Sequence, residues 1–122
     1  MATLKIGMDI LKSEQVAIDS LTGHGGLFKT PVVGQRYLAA ACNAPVTCME
    51  TAGEGGPYGM ALLARYLLHK SKPLERFLAE EVFQDAKKST IPPVEEDVAG
   101  FRAYIKRYQA GLAVERSAIR HI

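Results

Sequence analysis

The stretch from Leu21 to Arg65, LTGHGGLFKTPVVGQRYLAAACNAPVTCMETAGEGGPYGMALLAR, holds two glycine-rich turns, Gly23-His24-Gly25-Gly26 and Gly53-Glu54-Gly55-Gly56. Each follows a short apolar run and precedes an apolar helical pattern that opens with proline, Pro31 or Pro57. Val16, Ile18 and Leu21 alternate with polar neighbours, which predicts a strand leading into the first turn. Thr30 can cap a helix with its hydroxyl, and Pro31 fits the first helical position because that N–H needs no partner. The helix would run through Val32, Val33, Tyr37 and Leu38 to about Cys42, where Asn43 and Pro45 end it. Val46 to Met49 reads as a second strand. From Pro57, the residues Met60, Leu62, Leu63, Tyr66, Leu67 and Leu68 form a broad apolar stripe, expected to be contacted on more than one side. Strand, helix, strand, helix in this order is a βαβα unit with parallel strands.

Outward from this unit the pattern is helical. Leu4, Met8 and Leu11 share one face with Ile6 and Ile10 beside it, which predicts a helix over Met1–Gln15. No cap precedes that helix, as expected of a chain cut from something longer. Pro73 restarts a helix carrying Leu74, Phe77, Leu78, Val82 and Phe83, and residues 85–93, DAKKSTIPP, read as a loop. From Val94 to about Arg120 one long helix places Phe101, Ile105, Tyr108, Leu112 and Ile119 on a common face. Gly100 and Gly111 weaken it locally, each by about 1 kcal/mol relative to alanine. There is no internal repeat and no low-complexity segment.

Composition narrows the function classes. The chain has 122 residues and a formal net charge of +2, which fits one domain and is too small to imply a nucleic-acid partner. The basic residues are scattered, and Lys70, Lys72, Lys87 and Lys88 read as solvated loop lysines. Cys42 and Cys48 sit among apolar residues and form no CxxC, so both are expected as buried, reduced thiols. No signal peptide and no run of membrane-span length is present, so the expectation is a cytoplasmic protein with no membrane partner.

The first turn fails three familiar tests. A dinucleotide fingerprint starting at Gly23 needs glycine where Phe28 stands, and a phosphate-binding P-loop needs glycine directly before Lys29, where Phe28 stands again. His24-Gly25-Gly26 is like the oxyanion loop of lipases, but no GxSxG nucleophile follows, which argues against a hydrolase. Two readings remain open. Gly25 and Gly26 could admit an anion close to the backbone, with Thr30 adding a hydroxyl, or the segment is a tight turn with no ligand. In the second turn Glu54 would repel a phosphate, so its glycines are expected to permit close packing of the following helix, with Gly59-Met60-Ala61 letting backbones approach. His24 reads as a turn residue, and His69 and His121 lie near expected helix C-termini. No metal-ligand spacing occurs. Glu80, Glu81, Glu95, Glu96 and Asp97 read as solvated faces, and no nucleophile or general base stands out.

Taken together, the run resembles the C-terminal domain of the FGGY carbohydrate kinases, especially their ribulokinase- and xylulokinase-like members. The elements of the match are Gly25-Gly26 at a strand end, a polar residue four positions on (Thr30), Gln35 in the next helix, the alanine-rich segment, Pro45-Val46 opening a strand, and Tyr58-Gly59-Met60-Ala61 at a helix start. The resemblance implies a ribonuclease H-like, actin-type ATPase fold of α/β class, with a short parallel βαβα core, flanking helices and a long C-terminal helix. It implies ATP with Mg2+, and a nucleotide site at Gly25 and Gly26. Thr30 stands where the family often has asparagine; His24 and Lys29 are near the site by position alone. Residues 1–122 would then be the C-terminal, nucleotide-binding portion of a sugar kinase acting on a pentulose or related ketose. The sugar and the catalytic aspartate would belong to an absent N-terminal domain, and the fragment alone would be inactive. The alternative is a standalone interaction module that retains the fold without the chemistry and pairs as a homodimer.

Overall fold

The computed structural model describes residues 1–68 and 71–121. In chain order the elements are α1 (Ala2–Ser13), β1 (Leu21–Thr22), a 3₁₀ turn (Gly26–Lys29), α2 (Val33–Cys42) and β2 (Val46–Met49). A second 3₁₀ turn (Ala52–Glu54), α3 (Gly55–Leu68), α4 (Leu74–Phe77) with a π-wound continuation (Leu78–Val82), β3 (Lys88–Ile91) and α5 (Glu95–Arg120) follow. The expectations for His69 and Lys70 fall outside the described residues.

The α/β class and the parallel βαβα core are as expected. β1 and β2 are parallel, Leu21 opposite Val46 and Thr22 opposite Thr47, and α2 crosses between them. Fully buried Val46 packs under Leu38 and Ala39, with Met1, Leu21, Phe28 and Cys42 around them. Buried Ala39, Ala40, Ala41 and Ala44 bring no bulk, so the helix can lie close to the strand. Asn43, at φ 51°, ends α2 in the left-handed region that a short amide side chain tolerates.

Several expectations change. The first strand is only two residues long: the Leu21 amide donates to the Pro45 carbonyl and the Gly23 amide to the Thr47 carbonyl, each at 2.9 Å, and Val16 is exposed. Thr30 and Pro31 do not open α2. A 3₁₀ turn intervenes, Thr30 is extended, and the Val33 amide bonds the Pro31 carbonyl (2.8 Å) across Val32 at φ 70°, so the helix begins at Val33. This γ-turn form is rare for a β-branched residue. α3 begins at Gly55, with Pro57 inside its first turn, where amides lack helical partners anyway.

The third change concerns α3. It buries none of its residues and exposes Met60, Leu63, Leu67 and Leu68, instead of being contacted on two sides. It meets α4 through Tyr66, whose ring lies 5.4 Å from that of buried Phe77 and whose hydroxyl donates to the Lys72 carbonyl (2.9 Å). A Cβ at Gly59 would meet nothing within 4 Å, so no backbone approaches there.

Fourth, residues 88–91 are a strand. β3 pairs antiparallel with β2, Val46 opposite Ile91 and Thr47 opposite Thr90, giving a mixed sheet in the order β1-β2-β3. The Thr47 and Thr90 hydroxyls are 2.8 Å apart. Lysines at its start and prolines after it are what an edge strand carries, and they also imitate a loop in sequence.

α5 runs its full expected length, with Val94 at its N-cap and His121 at its C-cap. Buried Val98 and an ion pair from Arg36 to Asp97 hold it to α2, and Tyr108 meets Thr3 of α1 (2.9 Å between hydroxyls). Asp97 is therefore a paired residue. Glu80 also departs from a plain solvated face: with Glu81 it receives Lys72, at 3.0 and 2.9 Å. Among the described residues no helix is long and apolar enough to cross a membrane.

Candidate functional site

Parallel neighbours send the chain out on the same side of the sheet, so the turns that follow β1 and β2 meet at the strands' carboxyl ends. They interlock. The Gly25 amide donates to the Ala52 carbonyl at 2.6 Å. A Cβ on Gly55 would stand 2.8 Å from the β-carbon of His24, and one on Gly53 would stand 3.3 Å from Cγ of Lys29. The Lys29 ammonium reaches Glu54 Oε1 at 2.6 Å. Gly53 and Gly55 thus make room for side chains of the first turn, and Gly55, the first residue of α3, lets the start of that helix lie against His24.

The three candidate residues sit on one short segment in different roles. Gly25 has φ 97°, a conformation that side chains other than hydrogen rarely adopt, and its amide is committed to Ala52. Gly26 is exposed, and a Cβ there would meet nothing within 4 Å, so neither packing nor a positive φ demands glycine. In contrast, a Cβ at Gly23 would strike the Phe28 ring, and one at Gly34 would lie 2.5 Å from the Leu27 carbonyl oxygen. Thr30 lies exposed at the far end of the 3₁₀ turn, and Val32 occupies the N-cap position of α2. An open groove of about 680 Å³ runs from this turn to the β2–β3 ends, lined by Phe28, Lys29, Gln35, Glu54, Lys87 and Lys88 among others. Gly25, Gly26 and Thr30 lie outside its lining.

Behind the turn, Gln35 is buried and fully engaged. Its Nε2 donates to the carbonyls of Val46 (3.0 Å) and Ser89 (2.9 Å), and its Oε1 accepts from the Ser89 hydroxyl (3.2 Å). It fixes α2, and with it the end of the glycine segment, to both neighbouring strands. Arg36 beside it grips Asp97, with Nη2 3.1 Å from Oδ1. That hydrogen bond holds the Asp97 carboxyl below its ordinary range and raises the Arg36 guanidinium. Sequence reading missed both the Lys29–Glu54 and Arg36–Asp97 pairs; their members lie 25 and 61 positions apart, with no local signal to join them.

Cys42 and Cys48 are free thiols, and burial pushes both pKa values up, so neither is an activated nucleophile. Among the described residues no three His, Cys, Asp or Glu side chains could hold a metal. Chemically, the arrangement offers an open, Cβ-free stretch of backbone, a hydroxyl and a lysine on one short turn.

Comparison with known proteins agrees with this architecture. Residues 1–68 match the family described as "FGGY family of carbohydrate kinases, C-terminal domain". A structure of ligand-bound xylulose kinase from Lactobacillus acidophilus shares the fold, with a TM-score of 0.57 and 21% identity over 84% of this chain and 20% of that one. The chain therefore spans about a fifth of that kinase. No curated protein matches the sequence. With more than half of its residues inside the family match, the chain belongs to the FGGY family of carbohydrate kinases, in its C-terminal domain.

Proposed function

We propose that this chain supplies the nucleotide side of a kinase transferring the γ-phosphate of ATP to a pentulose or related ketose, with Gly25, Gly26 and Thr30 against the phosphates. The observation that carries this reading is the pair of glycine turns locked together at the ends of two parallel strands, with the Gly26 face left open. Gly25 makes the turn, while the Gly26 backbone and the Thr30 hydroxyl are the groups free to approach an oxygen. Phosphoryl transfer depends more on positioning and charge than on covalent help, which suits a backbone cradle beside a lysine. Mg2+ would be carried chiefly by phosphate oxygens, as is usual for this ion at nucleotide sites.

On this reading residues 1–122 are the nucleotide-binding portion of a larger kinase, and the sugar is bound mainly by a domain outside them. The length ratio to xylulose kinase supports that division. The chain alone then phosphorylates little or no sugar. Two free, unactivated thiols suit a cytoplasmic setting.

Titration of the chain with Mg-ADP to millimolar concentration, read by backbone amide shifts, tests the site. Shifts should concentrate on residues 23–30 and vanish in Gly26→Val. Shifts confined to other regions, or none, would overturn it. In a kinase carrying this segment, Gly26→Val should raise KM for ATP and lower kcat while leaving sugar affinity nearly unchanged.

A second reading, the interaction or dimerisation module, is favoured by one observation. α3 exposes Met60, Leu63, Leu67 and Leu68 on a helix with no buried residue. Concentration-dependent sedimentation without any nucleotide response would put it first.

A further inference from the structure

Resting on the phosphate reading above, we infer that Lys29 is a phosphate-binding residue held ready by Glu54, and that the nucleotide displaces the Glu54 carboxylate to reach it. The 3₁₀ turn that carries Lys29 starts at Gly26. In that winding, residues three apart stand one above the other, so Lys29 rises from the same face that Gly26 leaves bare. Its stem then crosses Gly53, where a Cβ would crowd Cγ at 3.3 Å, and its ammonium ends 2.6 Å from Glu54 Oε1. The second glycine turn thus provides a track for the lysine and a carboxylate at the end of it. Glu54 stands in for an anionic oxygen.

The pair is easy to part. Both side chains are more than half exposed, at 59% and 70%, so water screens the attraction. A diphosphate or triphosphate brings more negative charge than one carboxylate and accepts more hydrogen bonds from an ammonium. Lys29, Lys87 and Lys88 together outnumber Glu50 and Glu54 on the same groove, so an arriving anion meets no net repulsion. Glu54 therefore weakens nucleotide binding modestly while keeping Lys29 extended toward the site.

The test uses the full chain, with ADP and inorganic tripolyphosphate as probes and amide shifts as readout. Glu54→Gln should bind both probes about two- to fivefold tighter, the scale of an exposed ion pair. Lys29→Met should bind them about tenfold weaker, the scale of a lost charged hydrogen bond. The decisive variant combines the two: with Lys29 gone, Glu54→Gln should confer no gain. A purely structural ion pair would make both single variants bind worse, and simple repulsion by Glu54 would leave its gain intact in the double variant. Either result overturns the inference while the shifts at residues 23–30 keep the phosphate reading standing. Absence of those shifts in the unaltered chain removes both.

Discussion

Gln35 has two amide hydrogens and a carbonyl oxygen to satisfy inside the protein, and the Val46 carbonyl, the Ser89 carbonyl and the Ser89 hydroxyl satisfy them. Gln35→Leu keeps the volume and leaves two carbonyls without their donor. Since each buried group left unpaired costs about 1–3 kcal/mol, urea unfolding should show a loss of about 2–3 kcal/mol. Gly34→Ala acts through space instead. Its new methyl would stand 2.5 Å from a backbone oxygen that no rotamer can move, and the same measurement should show a loss of about 1–3 kcal/mol. Residues of these two kinds differ in how far sequence exposes them. Gly25 and Gly26 announce a turn by composition, and Gln35 is visible through the family resemblance. The need for glycine at position 34 is invisible, because it depends on where the Leu27 carbonyl comes to lie.

Helix and strand contacts add a pH response. Arg36 joins α2 to Asp97 of α5, and hydrogen bonding to the guanidinium lowers the Asp97 pKa. A lowered carboxylate contributes stability above its unfolded value, about pH 4, and loses that contribution as pH falls through the folded value. Asp97→Asn should therefore lower the melting temperature near neutrality, and the gap to the unaltered chain should close on acidification. A gap that persists in acid would mean that Asp97 acts through packing. Phe77 is the corresponding anchor for α3, being fully buried, with Tyr66 against its ring and the Arg65 guanidinium 5.6 Å above it. Phe77→Ala should cost about 3–5 kcal/mol by urea titration. The elements themselves were legible in proportion to their periodicity. α1, β2 and α5 follow apolar spacing and their bounds fall close to those expected, and α2 ends at Cys42 as expected but starts later, at Val33. β3 opens on Lys88 directly after Lys87, is followed by two prolines and meets β2 only in three dimensions, so its residues read as loop.

For the whole molecule, the parallel unit and the meeting of its two turns follow from the order of elements, which the sequence shows. What α3 covers does not. Its apolar stripe is plain in the sequence, yet Met60, Leu63, Leu67 and Leu68 of that stripe face outward. Replacing Leu63 and Leu67 by glutamate should leave the circular dichroism spectrum unchanged and abolish any association seen by sedimentation. A folded, equally associated double variant would place the contact elsewhere. The sheet has a different consequence, for synthesis. Gln35 is translated 54 positions before Ser89, and β2 before its antiparallel partner. A nascent chain that has emerged through residue 68 holds the βαβα unit and both glycine turns, but one edge of β2 is still bare. That edge stays available to other chains until Lys88–Ile91 leaves the ribosome and docks, so early termination before Lys88 should yield aggregates rather than a smaller folded domain.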